Sequence, residues 1–107
     1  MKLKRFREVA STIIESLPVD LFRQLNGGVL IIEEKNEEED SLVMGEYVED
    51  PVMGKTILLY YGSFVEDLED TSEEKWIDEI EDTILHELRH HVESLAGVDY
   101  LSEEEGE

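Results

Sequence analysis

The chain has 107 residues, 40% of them hydrophobic, with 29 Asp and Glu against 9 Lys and Arg, for a formal charge of −20. That length suits one domain with a modest core. The charge argues against nucleic-acid binding, because no basic surface is available to displace counterions. It suits a basic peptide or protein as partner, and it favours solubility. With no cysteine in the sequence there are neither disulfides nor thiolate ligands. No apolar run approaches the roughly 18 residues that cross a bilayer, and the basic start at Met1–Arg7 lacks the apolar stretch of a signal peptide. A cytoplasmic protein without a membrane anchor is the expectation.

From Lys4 to Leu17, Phe6, Val9, Ala10, Ile13, Ile14 and Leu17 recur at three- and four-residue intervals, which predicts an amphipathic helix ended by Pro18. Val19 to Leu25 reads as a short helix closed by Asn26-Gly27-Gly28. Val29 to Ile32 is a β-branched strand after the glycine pair. Glu33 to Asp40, almost wholly acidic, reads as a solvated loop. Leu42 to Val48 is a second strand interrupted by Gly45, and Asp50-Pro51 opens a turn. Lys55 to Tyr61 is the strongest strand. Three strands meandering between helices predict an α+β fold, with helices over one face of the sheet.

Gly62 to Asp70 reads as a loop or a short helical turn. Thr71-Ser72-Glu73-Glu74 supplies a hydroxyl cap and acids for a first turn. The last helix is predicted from about Glu73 to about Ala96, with Gly97 as its stop and an acidic, flexible tail at 102–107. At 100° per residue, Ile77, Ile80, Ile84, Leu88, Val92 and Leu95 form its apolar side.

This helix carries every histidine of the protein, within six residues: His86-Glu87-Leu88-Arg89-His90-His91. His86 and His90, four apart, lie one turn from each other on one face, nearly opposite the apolar stripe. They can offer two imidazoles to one ion, with Glu87 beside them to hold a water, the H-E-x-x-H arrangement of zinc proteases. A third protein ligand and one water would complete an open catalytic zinc site. Asp99, delivered by a turn at Gly97, is the preferred third ligand. Glu93 is the alternative, though it lies about 7.5 Å along the axis from the midpoint of the pair. Glu103 to Glu105 supply further carboxylates. His91, about 140° from His86, reads as a supporting or packing residue. Asp82 and Glu79, four and seven residues before His86, could orient its ring. Tyr60, Tyr61 and Tyr100 could donate a hydrogen bond to an oxyanion.

Over nearly its whole length the chain resembles the small prokaryotic zincin-like proteins known as metallopeptidase family proteins. Leu17-Pro18, Phe22 and Leu25-Asn26-Gly27-Gly28 carry the resemblance at the start. Gly45-Glu46-Tyr47, Asp50-Pro51, Met53-Gly54 and Tyr60-Tyr61-Gly62-Ser63-Phe64 carry it in the middle. His86-Glu87-Leu88-Arg89-His90-His91, Glu93-Ser94-Leu95-Ala96-Gly97 and Leu101 carry it at the end. The resemblance implies a single zincin-like domain spanning 1–107, a small mixed sheet, zinc on His86 and His90, and Glu87 as catalytic glutamate. That family usually has its aspartate three residues after the glycine; here that place holds Tyr100 and the aspartate is Asp99. The function expected is zinc-dependent hydrolysis of peptide bonds. The alternative is a non-catalytic metal-binding or protein-interaction domain that keeps the zincin shape.

The charge alone yields one prediction. Raising NaCl from about 10 mM to 0.5 M shortens the Debye length severalfold and relieves self-repulsion, so the melting temperature should climb. Thermal melts read this directly, and a flat or falling curve would contradict it.

Overall fold

In the computed structural model, the backbone is described for residues 1–105 and side chains for residues 1–97. The periodic start forms helix α1, Leu3–Ser16, burying Phe6, Val9, Ala10 and Ile13. Leu17, extended ahead of Pro18, ends it. The predicted second helix shrinks to a 3₁₀ turn, Val19–Phe22. Strands β1 (Gly28–Ile32), β4 (Gly45–Asp50) and β5 (Gly54–Tyr60) form one sheet in the order β1-β5-β4. β5 is central, parallel to β1 and antiparallel to β4. The sheet is therefore mixed rather than a meander.

The acidic segment is not a loop. Asn36–Glu38 (β2) pairs antiparallel with Ser41–Val43 (β3) in a separate two-stranded sheet. Glu38 lies opposite Ser41, leaving a two-residue turn of Glu39 and Asp40, both at positive φ (50° and 65°). Two left-handed residues in a row are what a tight hairpin following strand twist requires. The predicted strand Leu42–Val48 is thus split at Met44 into β3 and β4.

Helix α2, Tyr61–Leu68, follows β5 without a loop. The Ser63 hydroxyl, fully buried, accepts from the Asn36 amide at 3.0 Å and donates to the Asn36 carbonyl at 3.3 Å. A Cβ on Gly62 would lie 2.4 Å from the Lys35 nitrogen, so the small residue lets the hairpin seat on α2. Phe6 meets Phe64, Tyr61 and Trp76 edge-on at 5.0, 5.2 and 6.4 Å, locking α1 and α2 to the start of α3.

Helix α3, Glu73–Glu105, begins as predicted: Ser72 Oγ accepts from the Lys75 amide at 3.2 Å. Its end differs. The backbone continues through Gly97, whose added Cβ would meet nothing within 4 Å, so glycine costs the helix only its propensity, about 1 kcal/mol. The side chains of the predicted acidic tail at 102–107 lie outside the described residues. Among the described residues no helix is long and apolar enough to cross a membrane.

The helices sit on one face of the sheet, where Ile57, Leu59, Phe6, Trp76, Ile80, Ile84 and Leu88 make the core of a single α+β domain. The buried side of α3 also includes Glu87 and His91, while Val92 is 41% exposed, so the stripe turns away from the one read by periodicity. Helix α3 approaches the sheet closely at Gly45: a Cβ there would lie 2.6 Å from Thr83 Cγ2 and 3.3 Å from Glu87 Cγ. Gly45→Ala should therefore destabilise the fold by about 1–3 kcal/mol through overpacking. Urea denaturation measures it, and an unchanged midpoint would show that helix and strand can separate freely.

Candidate metal centre

Glu87 is 7% exposed, while His86 and His90 on either side of it in the motif are exposed. Their rings stand nearly perpendicular (89°) with centroids 4.7 Å apart, and their Nε2 atoms approach to 3.1 Å. Two imidazole nitrogens that close share either a proton or a cation. Two nitrogens each about 2.05 Å from a tetrahedral zinc would lie roughly 3.3 Å apart, so the pair already has a spacing that fits the ion.

The pair opens into a groove between α3 and the strands β3 and β4. On one side of Glu87 it is lined by Leu42, Val43, Met44, Asp82, Thr83 and His86. On the other it is lined by Glu38, Val43, Glu46, Tyr47 and His90. Val43, Gly45 and Glu87 belong to both halves. The halves hold about 500 and 480 Å³, ample for side chains of a bound peptide. The Tyr60 amide donates to the Met44 carbonyl at 2.9 Å, which makes the even-numbered residues of β4 the ones bonded to β5. The backbone groups of Gly45 and Tyr47 consequently face the free edge.

Burial holds the Glu87 carboxyl above the ordinary carboxylate range, with the charge of Glu46 adding to the effect. The two histidines and the Tyr47 backbone amide oppose the shift. A carboxyl raised in this way is a proton acceptor suited to conditions nearer neutrality.

His91 is fully buried and does not touch the pair. Its Nε2 lies 2.7 Å from the Arg23 carbonyl, which can only accept, so Nε2 carries the proton. Its Nδ1 accepts from the Tyr47 hydroxyl at 2.8 Å. Burial, followed by the charge of Glu49, pushes the Tyr47 phenol up and keeps it a donor. Glu49 in turn accepts from Ser94. His91 thus fastens α3 to β4 and to the segment after the 3₁₀ turn. Both ring nitrogens are satisfied, which is why a polar ring can occupy the place periodicity assigned to Val92.

The remaining predicted residues are dispersed. Glu93 is held by Arg89 at 2.9 Å and lines an apolar hollow with Leu21, Leu85 and Val92, away from the groove. Because α3 has no turn at Gly97, the backbone of Asp99 lies about 13.5 Å along the axis from His90; its side chain lies outside the described residues. Glu79 pairs with Lys75 at 3.0 Å. Asp82 lines the same half of the groove as His86. Among the described residues no three His, Asp or Glu side chains converge as a ready-made metal site. The Tyr60 hydroxyl is committed to Glu46 at 2.8 Å and that of Tyr61 to the Met1 carbonyl, while the side chain of Tyr100 lies outside the described residues. Tyr47, Gly45, Glu46 and Glu38 were not nominated as site residues from the sequence. Only the alternation of β4 could have hinted that Tyr47 shares a face with the core.

Tyr47→Phe removes the hydroxyl and leaves the buried His91 Nδ1 without its donor, which should cost about 1–3 kcal/mol in urea denaturation. The spacing of His86 and His90 should survive, because the Tyr47 hydroxyl bonds His91 and neither ring of the pair. A loss below about 0.5 kcal/mol would mean the pin is not under tension from burial.

A family model described as zincin-like metallopeptidase matches residues 40–104. Among solved structures, a conserved hypothetical protein from Thermo thermophilus is 36% identical, with a TM-score of 0.78, covering 90% of this chain and 98% of that one. No curated protein matches the chain. The family match takes in β3, β4, β5, α2 and the whole histidine turn, and the likeness in fold extends to most of the rest. The chain belongs to the zincin-like metallopeptidase family.

Proposed function

We propose that this protein is a zinc-dependent peptidase of the cytoplasm, with His86 and His90 holding the ion and Glu87 acting as general base. The observation that carries the reading is the 3.1 Å approach of the two Nε2 atoms beside a buried glutamate, at the floor of an open groove. Zinc bound there would supply a Lewis acid for the scissile carbonyl and a water of lowered pKa. Asp99 is proposed as the third protein ligand, brought to the ion by a bend of α3 at Gly97 on metal binding, because the straight helix leaves its backbone about 13.5 Å along the axis from His90. The chain's own groups then have defined tasks. The free-edge backbone of Gly45 and the Tyr47 carbonyl align an extended peptide as an added strand along the groove, while the Tyr47 amide holds Glu87. Glu87, kept from bulk water by Gly45 and Thr83, takes a proton from the attacking water and passes it to the departing amine. Aspartate in its place would be too short for that reach.

The absence of a third ligating side chain among the described residues favours a second reading, a domain that holds metal or a partner without catalysis. Metal analysis of purified protein together with cleavage of a peptide library distinguishes the two. Wild type should carry zinc, and His86→Ala should lose it. Glu87→Gln should keep zinc while cleavage falls by about 10²-fold or more. Cleavage that persists in Glu87→Gln, or is absent from zinc-loaded wild type, would favour the non-catalytic domain.

A further inference from the structure

The two halves of the groove differ in chemistry, and the difference is built by residues outside the histidine turn. On the His90 side stand Glu38, at the end of β2, and Glu46, on β4. The Tyr60 hydroxyl donates to Glu46 Oε1 at 2.8 Å, fixing that carboxylate at the rim. Among the described residues no lysine or arginine lines either half. The nearby cations have partners elsewhere: Lys35 with Glu37 and Glu66 at 2.6 and 3.1 Å, and Arg89 with Glu93 at 2.9 Å. On the His86 side the wall is Leu42, Val43 and Met44, with Thr83 opposite and Asp82 the one acid besides Glu87 among the described residues. Between the halves lies Glu87, 7% exposed, whose carboxylate no side chain bonds among the described residues.

We infer that the groove selects a peptide with a lysine or arginine on one side of the scissile bond and an apolar residue on the other. Resting on the peptidase reading, it names that site's substrate class. A basic side chain laid towards Glu38 and Glu46 supplies the counter-charge that this half lacks, and it approaches carboxylates one of which is already held in place. An apolar side chain laid against Leu42 and Met44 covers surface that the hairpin leaves open. The hairpin is therefore part of the specificity apparatus, contributing Glu38 to one half, Leu42 to the other and Val43 to both.

Cleavage-site sequencing of a random peptide library by the zinc-loaded full chain tests this. Lys or Arg should be enriched at one flank of the cut and Leu, Ile, Met or Phe at the other. Glu38→Gln/Glu46→Gln should lower the ratio of kcat/KM for a basic-flank peptide to that for an alanine-flank peptide by about fivefold or more, with zinc content unchanged. Glu15→Gln/Glu69→Gln removes the same charge away from the groove and should leave the preference intact. Thermal melts of both double variants exclude misfolding. Fluorescence anisotropy of Glu87→Gln with a labelled lysine-leucine peptide reads the preference without turnover: it should bind about tenfold tighter than a glutamate-leucine peptide, and Glu38→Gln/Glu46→Gln should abolish the difference. Cleavage with no basic enrichment, or a preference equally weakened by both double variants, would overturn the inference and leave the peptidase intact. Absence of all cleavage with that binding difference preserved would overturn the peptidase reading alone.

Discussion

The approach of α3 to the edge strand β4 sets the geometry of everything else in this protein. At Gly45 the strand and the helix are so close that a single methyl group would meet Thr83 at 2.6 Å. About two turns further along, His91 reaches across to Tyr47 and the Arg23 carbonyl, making a polar pin through the interior. Between the tight point and the pin lies Glu87. Its burial is a consequence of the packing, and its raised pKa is a consequence of its burial. His86 and His90, rotated away from the strand, stay exposed at the groove. One helix thus delivers a dry carboxylate and two wet imidazoles within five residues.

The histidine turn was legible because its geometry is local: a spacing of four on a helix places two rings together whatever surrounds them. The core strands β1 and β5 and the first helix were legible for a similar reason, through β-branched runs and three-four periodicity. The β2–β3 hairpin was not. Its turn is Glu39-Asp40 rather than a pair with glycine or asparagine, and the two positive φ values are those a two-residue hairpin requires, while Ser63 and Gly62 seat its base. Gly97 was misread as a stop, although glycine interrupts a helix only when the chain has somewhere else to go. Tyr47 and Glu46 entered the site through sheet register, which no local pattern encodes.

Periodicity also erred in a telling way on α3. It placed Val92 in the core and His91 at the border, because hydrophobicity scales penalise a buried ring. The penalty vanishes when both nitrogens are bonded. The swap has a functional side: a valine there would seal the helix to the sheet without direction, whereas the histidine fixes the rotation of the helix and hence the bearing of His90 one residue before it.

The excess of negative charge takes on a local meaning at the groove. Among the described residues, Glu38, Glu46, Asp82 and Glu87 line its walls without a single lysine or arginine. Such a field raises the local concentration of cations, metal and basic peptide alike. The claim beneath all of this is that two imidazoles on one helical turn converge on a single ion. X-ray absorption at the zinc edge of the zinc-loaded protein examines it most directly. The account requires imidazole scattering from two rings with nitrogens at about 2.0–2.1 Å. A zinc surrounded by oxygen alone, or a spectrum unchanged in His86→Ala, would contradict it.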